Sequence, residues 1–131
     1  MPMLEIQIQR SGSGSDRVSL SGRLDTHSYQ QLDDALAPLL ATSTPGSLVL
    51  DLSLLEYISS AGIRSIFKAR KAQAANGGKL LVVNPQPQIQ KVFDVVKAVP
   101  LNDIFGSVAE ADAYLDAMQR KVLEGDDGDD D

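Results

Sequence analysis

Leu4, Ile6 and Ile8 alternate with Glu5, Gln7 and Gln9, the period of two that a strand with one buried face requires. Ser11-Gly12-Ser13-Gly14-Ser15-Asp16 reads as a polar turn, and Val18, Leu20 and Gly22 predict a second strand folding back on the first as an antiparallel hairpin. From Thr26 the period changes. Tyr29, Leu32, Leu36 and Leu39/Leu40 share one helical face, with Asp25 or Thr26 as N-cap, Pro38 as a candidate kink near the end and Pro45-Gly46 marking the exit. Leu48-Val49-Leu50-Asp51-Leu52 is a nearly unbroken apolar run, which predicts a central strand covered on both faces. Ile63, Ile66, Phe67 and Ala74 trace the buried face of a second helix, ended by Asn76-Gly77-Gly78, and Leu80-Leu81-Val82-Val83 resumes strand. Asn84-Pro85-Gln86-Pro87 stops that strand. Ile89, Val92, Phe93 and Val96 predict a third helix closed by Pro100, and Ile104-Phe105 a short edge strand. Ser107, with Glu110 three residues on, forms a capping box for a last helix whose apolar positions are Ala111, Leu115, Met118 and Val122.

Strands joined by helical crossovers run parallel, so these elements predict an α/β domain with a mixed sheet of four to five strands and about four helices. At 131 residues the chain is one domain, able to bury about two-thirds of the surface its unfolded form exposes. The natural boundary is residues 1–124, followed by the sequence GDDGDDD at 125–131, expected to be a disordered acidic tail. Charge needs the same division. The formal net charge is −6, but the tail holds five of the eighteen acids, and the other 124 residues carry thirteen acids against twelve Lys and Arg. A domain balanced at −1, with three Phe, three Tyr and no Trp, argues against nucleic-acid binding. The absence of cysteine excludes disulfides and thiolate metal sites, and no apolar run is long enough to span a bilayer. MPMLEIQIQR lacks the basic and apolar regions of a secretion signal, so a cytoplasmic location is the expectation.

Candidate chemistry concentrates in Asp51-Leu52-Ser53-Leu54-Leu55-Glu56-Tyr57-Ile58-Ser59-Ser60-Ala61-Gly62-Ile63-Arg64, which joins the apolar strand to the second helix. A serine at a helix N-terminus can cap free backbone N–H groups, and a phosphate placed on it lies in the favourable field of the helix dipole. From the residues alone, capping suffices to explain Ser59 and Ser60. Together with Gly22-Arg23-Leu24-Asp25 and Gly77-Gly78-Lys79-Leu80, however, the stretch resembles the STAS-domain family of bacterial anti-sigma factor antagonists, a resemblance extending over roughly residues 4 to 122. The family pattern is an apolar pair, commonly Asp-Ser, then Ser/Thr/Ala-Gly-Leu/Ile, with the first Ser phosphorylated by a partner kinase. Tyr57-Ile58 match the pair, Ser60 takes the acceptor position and Ala61-Gly62-Ile63 follow it, while Ser59 stands where sporulation-type members have Asp. The resemblance therefore implies phosphorylation at Ser60, with Ser59 as the alternative acceptor.

It further implies partner switching. The unphosphorylated protein binds a serine kinase that is also the anti-sigma factor and thereby frees the sigma factor; phosphorylation releases that partner, and a serine phosphatase resets the switch. The implied partner-binding residues are Asp25, Thr26, Ser59, Ala61, Gly62 and Arg64. Each has a plainer reading. Asp25 suits a helix cap as well as a kinase-facing surface, and Gly62 suits steric relief at the helix start as well as close approach by a partner's backbone. Arg64, Lys68 and Lys71 share one face, either a stripe that steers an acidic partner or an ordinary solvated surface. His27, the lone histidine, suggests no metal site, and the chain calls for no cofactor.

Enzyme signatures are incomplete. The Ser11–Ser15 run lacks the Gly-Lys-Ser/Thr ending of a P-loop and precedes a strand. Around Ser60 a hydrolase elbow would need glycine where Ile58 stands, and the first strand ends in Gln9-Arg10 rather than the acidic pair of a phosphate-accepting receiver. The competing role is therefore non-catalytic: a STAS accessory subunit of a membrane transport complex or of a signalling scaffold.

Overall fold

The computed structural model describes residues 4–10, 15–41, 46–98 and 106–125. In chain order the elements are β1 (Leu4–Gln9), β2 (Ser15–Leu24), α1 (Tyr29–Leu40), β3 (Ser47–Ile58), α2 (Ser60–Ala75), β4 (Lys79–Val83), α3 (Pro87–Ala98) and α4 (Val108–Leu123). They form a mixed four-stranded sheet in the order β1-β2-β3-β4, with β1 antiparallel to β2 and β2, β3 and β4 mutually parallel. This is the α/β arrangement that the hydrophobic pattern predicts. The tip of the hairpin loop, Pro45, Pro100, the edge strand expected at Ile104-Phe105 and the tail from 126 onward lie outside the described residues.

Strand order explains one departure from the sequence reading. Because β2, β3 and β4 succeed one another in a single direction, right-handed crossovers place α1 and α2 on the same face of the sheet, where they pack together. β3 is thus covered by helices on one face instead of two. Its inward residues Leu48, Leu50, Leu52, Leu55 and Ile58 join Val18, Leu20 and Leu24 of β2 against Leu32, Leu36 and Leu39 of α1 and Ile63, Ile66 and Ala69 of α2. On the open face Leu54 is 62% exposed and Leu81 45%. There Asp51, in the same strand, accepts hydrogen bonds from the Arg17 guanidinium and the Ser53 N–H.

β3 also runs further than its apolar core suggests. Two irregularities in its register with β2, one opposite Ser19–Ser21 and one opposite Gly22–Arg23, insert an extra residue of β3 each time. These shifts let Leu52, Leu55 and Ile58 all point inward at a spacing of three, which a regular strand could not do. β4 meanwhile pairs only as far as Asp51, and among the described residues no strand pairs with the remainder of that β3 edge. Side-chain amides serve it instead. Gln86 donates to the Ser53 carbonyl at 2.8 Å and Gln88 to that of Glu56 at 2.9 Å. Gln119 of α4 both accepts from the Ile58 N–H at 3.0 Å and donates to the Ile58 carbonyl at 2.8 Å, as a neighbouring strand would.

Helix ends follow local chemistry with two corrections. α1 starts at Tyr29 after Ser28, later than Asp25 or Thr26 would imply. The Ser28 hydroxyl is drawn back to the Arg23 carbonyl at 2.8 Å, and the Asp25 carboxylate accepts the His27 N–H at 2.9 Å, so Asp25 caps the turn that leads into the helix. On α2, Ser65, Ala69 and Gln73 take the buried positions with Ile63 and Ile66, whereas Phe67 and Ala74 are exposed. Its C-terminus closes through Gly77 at φ 81, with Gly78 N–H bonding the Gln73 carbonyl and Gly77 N–H that of Ala74. Ser107 caps α4, with Glu110 N–H donating to its hydroxyl, although Glu110 reaches back to Gly106 N–H rather than closing the box on Ser107.

Candidate functional site

Ser59 and Ser60 lie where β3 gives way to α2, and they occupy different positions in that junction. Ser59 is the extended N-cap residue, and its Oγ accepts the Gly62 N–H at 3.4 Å. Ser60 is the first helical residue. It is only 8% exposed, and its Oγ has no hydrogen-bond partner among the described residues. The serine side chains thus divide the work: one completes the cap, and the other is a buried hydroxyl with its hydrogen-bonding capacity unused.

The backbone of the junction is held from two directions. From the sheet, the Leu24 carbonyl at the end of β2 accepts the Ser59 N–H at 2.9 Å. From α4, Gln119 holds Ile58 on both sides and the Asp112 carboxylate accepts the Ser60 N–H at 2.8 Å. The first N–H groups of a helix have no partner within it, so Asp112 satisfies one of the free donors of α2 and sets a negative charge at the positive end of its dipole. Asp112 and Gln119 are seven residues apart, two helical turns, and so reach the same loop from one side of α4.

Tyr57 borders the junction. The Arg23 guanidinium lies 4.1 Å from its ring centroid and also pairs with Asp25 at 3.5 Å. Burial, followed by the charges of Asp116, Asp112 and Asp25 against the opposing effect of Arg23, raises the Tyr57 phenol above its ordinary pKa. Three carboxylates from α4 and the turn before α1 therefore act on this corner.

The residues singled out in the sequence separate by exposure. Thr26 and Arg64 are exposed and Asp25 half-buried, whereas Ser59, Ser60, Ala61 and Gly62 are buried. Asp25 and Ser59 are brought together by the bond from Ser59 N–H to Leu24. For Gly62 the close neighbour is internal: a Cβ there would lie 2.8 Å from both the Leu24 carbonyl oxygen and the Leu24 Cγ. Arg64 follows Ser60 by one turn, and Lys68 crosses to Asp33 of α1 at 3.2 Å, which removes it from an open basic stripe. His27 is exposed, and among the described residues no group of three His, Cys, Asp or Glu side chains is placed to hold a metal ion. Sequence reasoning missed Asp112 and Gln119. Their only signal was the spacing of seven beside the apolar stripe of α4.

Residues 13–111 match the STAS domain, and the chain belongs to the STAS-domain family. It is 31% identical over 104 residues to the putative anti-sigma factor antagonist BtrV of Bordetella bronchiseptica, a match that takes in 77% of this chain and 87% of that protein. It is also 25% identical over 76 residues to an anti-sigma F factor antagonist of Lysinibacillus sphaericus, with 58% of this chain covered, and there it spans 65% of the relative's length. Among solved structures, the anti-sigma factor antagonist SpoIIAA in its unphosphorylated form superposes with a TM-score of 0.59 at 20% identity, over 69% of this chain and 82% of that one. That likeness establishes the fold: a four-stranded mixed sheet with four helices. No helix among the described residues is long and apolar enough to cross a membrane.

Proposed function

We propose that this chain is an anti-sigma factor antagonist whose binding to an anti-sigma kinase is controlled by phosphorylation of Ser60. The observation that carries this reading is the serine pair at the start of α2, in which Ser59 Oγ is committed to the cap and Ser60 Oγ is not. Two relatives are named as anti-sigma factor antagonists, and the structural neighbour SpoIIAA has also been solved in a phosphorylated form, which supports a phosphorylation site on this fold.

In the proposed cycle the γ-phosphoryl group of ATP passes to Ser60 Oγ. A new O–P bond forms and the bond to the β-phosphate oxygen breaks, so that ADP leaves with the electron pair and the hydroxyl proton goes to solvent. The product carries about 1.5 to 2 additional negative charges at a helix N-terminus, where the dipole favours them, but an interface packed on the junction must then desolvate them. A serine phosphatase restores the hydroxyl by hydrolysis. Thr26 and Arg64 supply the exposed rim of the partner surface, half-buried Asp25 its edge, and Ser59, Ala61 and Gly62 its buried floor. The cycle requires no cofactor on this chain and belongs in the cytoplasm, where ATP and sigma factors are found.

Incubation with the partner kinase and Mg-ATP should add a single phosphate, which Ser60→Ala abolishes while the far-UV circular dichroism stays unchanged. Phosphate found on Ser59, or none added while the protein co-purifies with transporter subunits, defeats the proposal.

A further inference from the structure

The Ser60 hydroxyl is an acceptor oxygen that no other side chain aims. Its Oγ is buried without a hydrogen-bond partner among the described residues, so its direction is set by the backbone that carries it and by the single torsion about Cα–Cβ. Phosphoryl transfer needs the attacking oxygen in line with the γ-phosphate of a nucleotide held by another protein, and a misplacement of about 1 Å can cost roughly a hundredfold in rate. The Ser60 backbone is fixed from two sides. The preceding amide is tied to the sheet through the bond from Ser59 N–H to the Leu24 carbonyl. The N–H of Ser60 itself opens α2 and has no acceptor within the helix; the Asp112 carboxylate takes it at 2.8 Å from α4.

We infer that Asp112 is a positioning residue for phosphoryl transfer to Ser60: by accepting the Ser60 N–H it pins the acceptor's backbone, and the hydroxyl meets the nucleotide by rotation about Cα–Cβ alone. The inference rests on Ser60 being the acceptor and adds to it a residue that acts through it. A buried hydroxyl without a partner has no hydrogen bond to break on turning, and it gains one wherever it meets water or a phosphate oxygen. The backbone, by contrast, has bonds to lose: Ser59 N–H to Leu24, Ser60 N–H to Asp112, and Ile63 N–H to the Ser59 carbonyl at 2.9 Å. Gly62, close against the Leu24 carbonyl, blocks a shift in that direction. Asp112 is itself held in place. Gln119, two turns along the same side of α4, bonds both backbone groups of Ile58, and Leu115 between them is fully buried. Ser59 cannot take over the role of Asp112, because its Oγ is directed at the Gly62 N–H.

The test is steady-state phosphorylation of the full chain by the partner kinase with Mg-ATP, with the modified residue mapped by mass spectrometry. Asp112→Asn retains an oxygen that can accept the Ser60 N–H and should keep kcat within threefold of wild type. Asp112→Ala removes the acceptor and should lower kcat at least tenfold, with KM for the protein substrate changed less than twofold. Ser107→Ala weakens α4 at its cap without touching the junction and should leave both constants within twofold. Should Asp112→Ala fail to fold by circular dichroism, Asp112→Glu, which keeps the charge and sets the acceptor one methylene further out, takes its place with the same expected loss. Wild-type kcat in Asp112→Ala overturns the inference, as does equal loss in the Asn and Ala variants. Equal loss in Ser107→Ala, which would show a general loosening of α4, overturns it too, and so does a loss confined to KM, which would make Asp112 a docking contact. Phosphate absent from Ser60 in the wild-type chain defeats the acceptor reading and this inference together, whereas the other outcomes defeat this inference alone.

Discussion

Asp51 is a carboxylate set in an otherwise apolar strand, and its surroundings account for its survival there. The Ser53 N–H is the largest influence, ahead of the opposing cost of burial, and the Arg17 guanidinium adds to it; together they hold the carboxyl below its ordinary value of 3.8. A folded-state pKa lower than the unfolded one stabilises the protein above the unfolded value, and that stability is lost as pH falls through the folded value. Asp51→Asn should therefore cost about 1–2 kcal/mol at neutral pH. In urea titrations the gap between variant and wild type should be constant above about pH 5 and shrink below 3.8. A gap that does not shrink at all as pH falls below 3.8 would show that shape and not charge is responsible. Gly62 sets a different kind of constraint. Alanine is the better helix former by about 1 kcal/mol, yet its Cβ would meet the Leu24 backbone oxygen at 2.8 Å and Ile58 at 2.9 Å, and neither belongs to a flexible side-chain end. Overpacking of this kind costs roughly 1–3 kcal/mol, so Gly62→Ala should lower the urea midpoint despite the propensity gain. An unchanged or raised midpoint would show that the junction has slack.

Among elements, β3 is where sequence and structure diverge most instructively. The spacing of Leu32, Leu36 and Leu39 is legible because burial there follows the simple period of a helix, and the alternation of β1 is legible at Leu4 and Ile6, whereas Ile8 on the same face is 40% exposed near the strand's end. The extension of β3 is not legible, since its bulges change the inward spacing to three and its exposed edge is served by glutamines, a residue type whose hydropathy gives no hint of burial. Likewise Asp25, Thr26 and Ser28 are all competent caps, and the choice among them is made by the Arg23 carbonyl, a contact outside the helix. The serine pair was visible in the sequence, but its tie to α4 was not, because two polar residues beside an apolar stripe normally face water. The glutamines should show a graded energy. Gln119→Met keeps volume but strands the buried Ile58 N–H and carbonyl, at about 2–3 kcal/mol, whereas Gln86→Ala exposes the Ser53 carbonyl to water and should cost under about 0.5 kcal/mol. Chemical denaturation of the two variants checks the order, and equal losses would refute the assignment of Gln119 as a surrogate strand.

For the molecule as a whole, the division of labour between sheet and α4 can be read from three consecutive amides. Ile58 and Ser60 donate to Gln119 and Asp112 of α4, while Ser59 between them donates to Leu24 at the end of β2. If the domain opened only as a unit, all three would exchange with solvent at the rate of global unfolding. If α4 opens separately, Ile58 and Ser60 lose their acceptors in that event and Ser59 does not. The central pair β2 and β3 holds much of the buried core, so its opening is the expensive one, whereas α4 adds few fully buried side chains beyond Leu115. Residue-resolved exchange of the unmodified protein should thus alternate along the junction: Ile58 and Ser60 matching the amides of α4, and Ser59 at least tenfold slower and matching β2. Because sub-global opening is an equilibrium, Gln119→Met should speed exchange at Ile58, Ser60 and α4 together while leaving Ser59 tied to global stability. Identical rates at the three positions would mean that α4 is an inseparable part of the core.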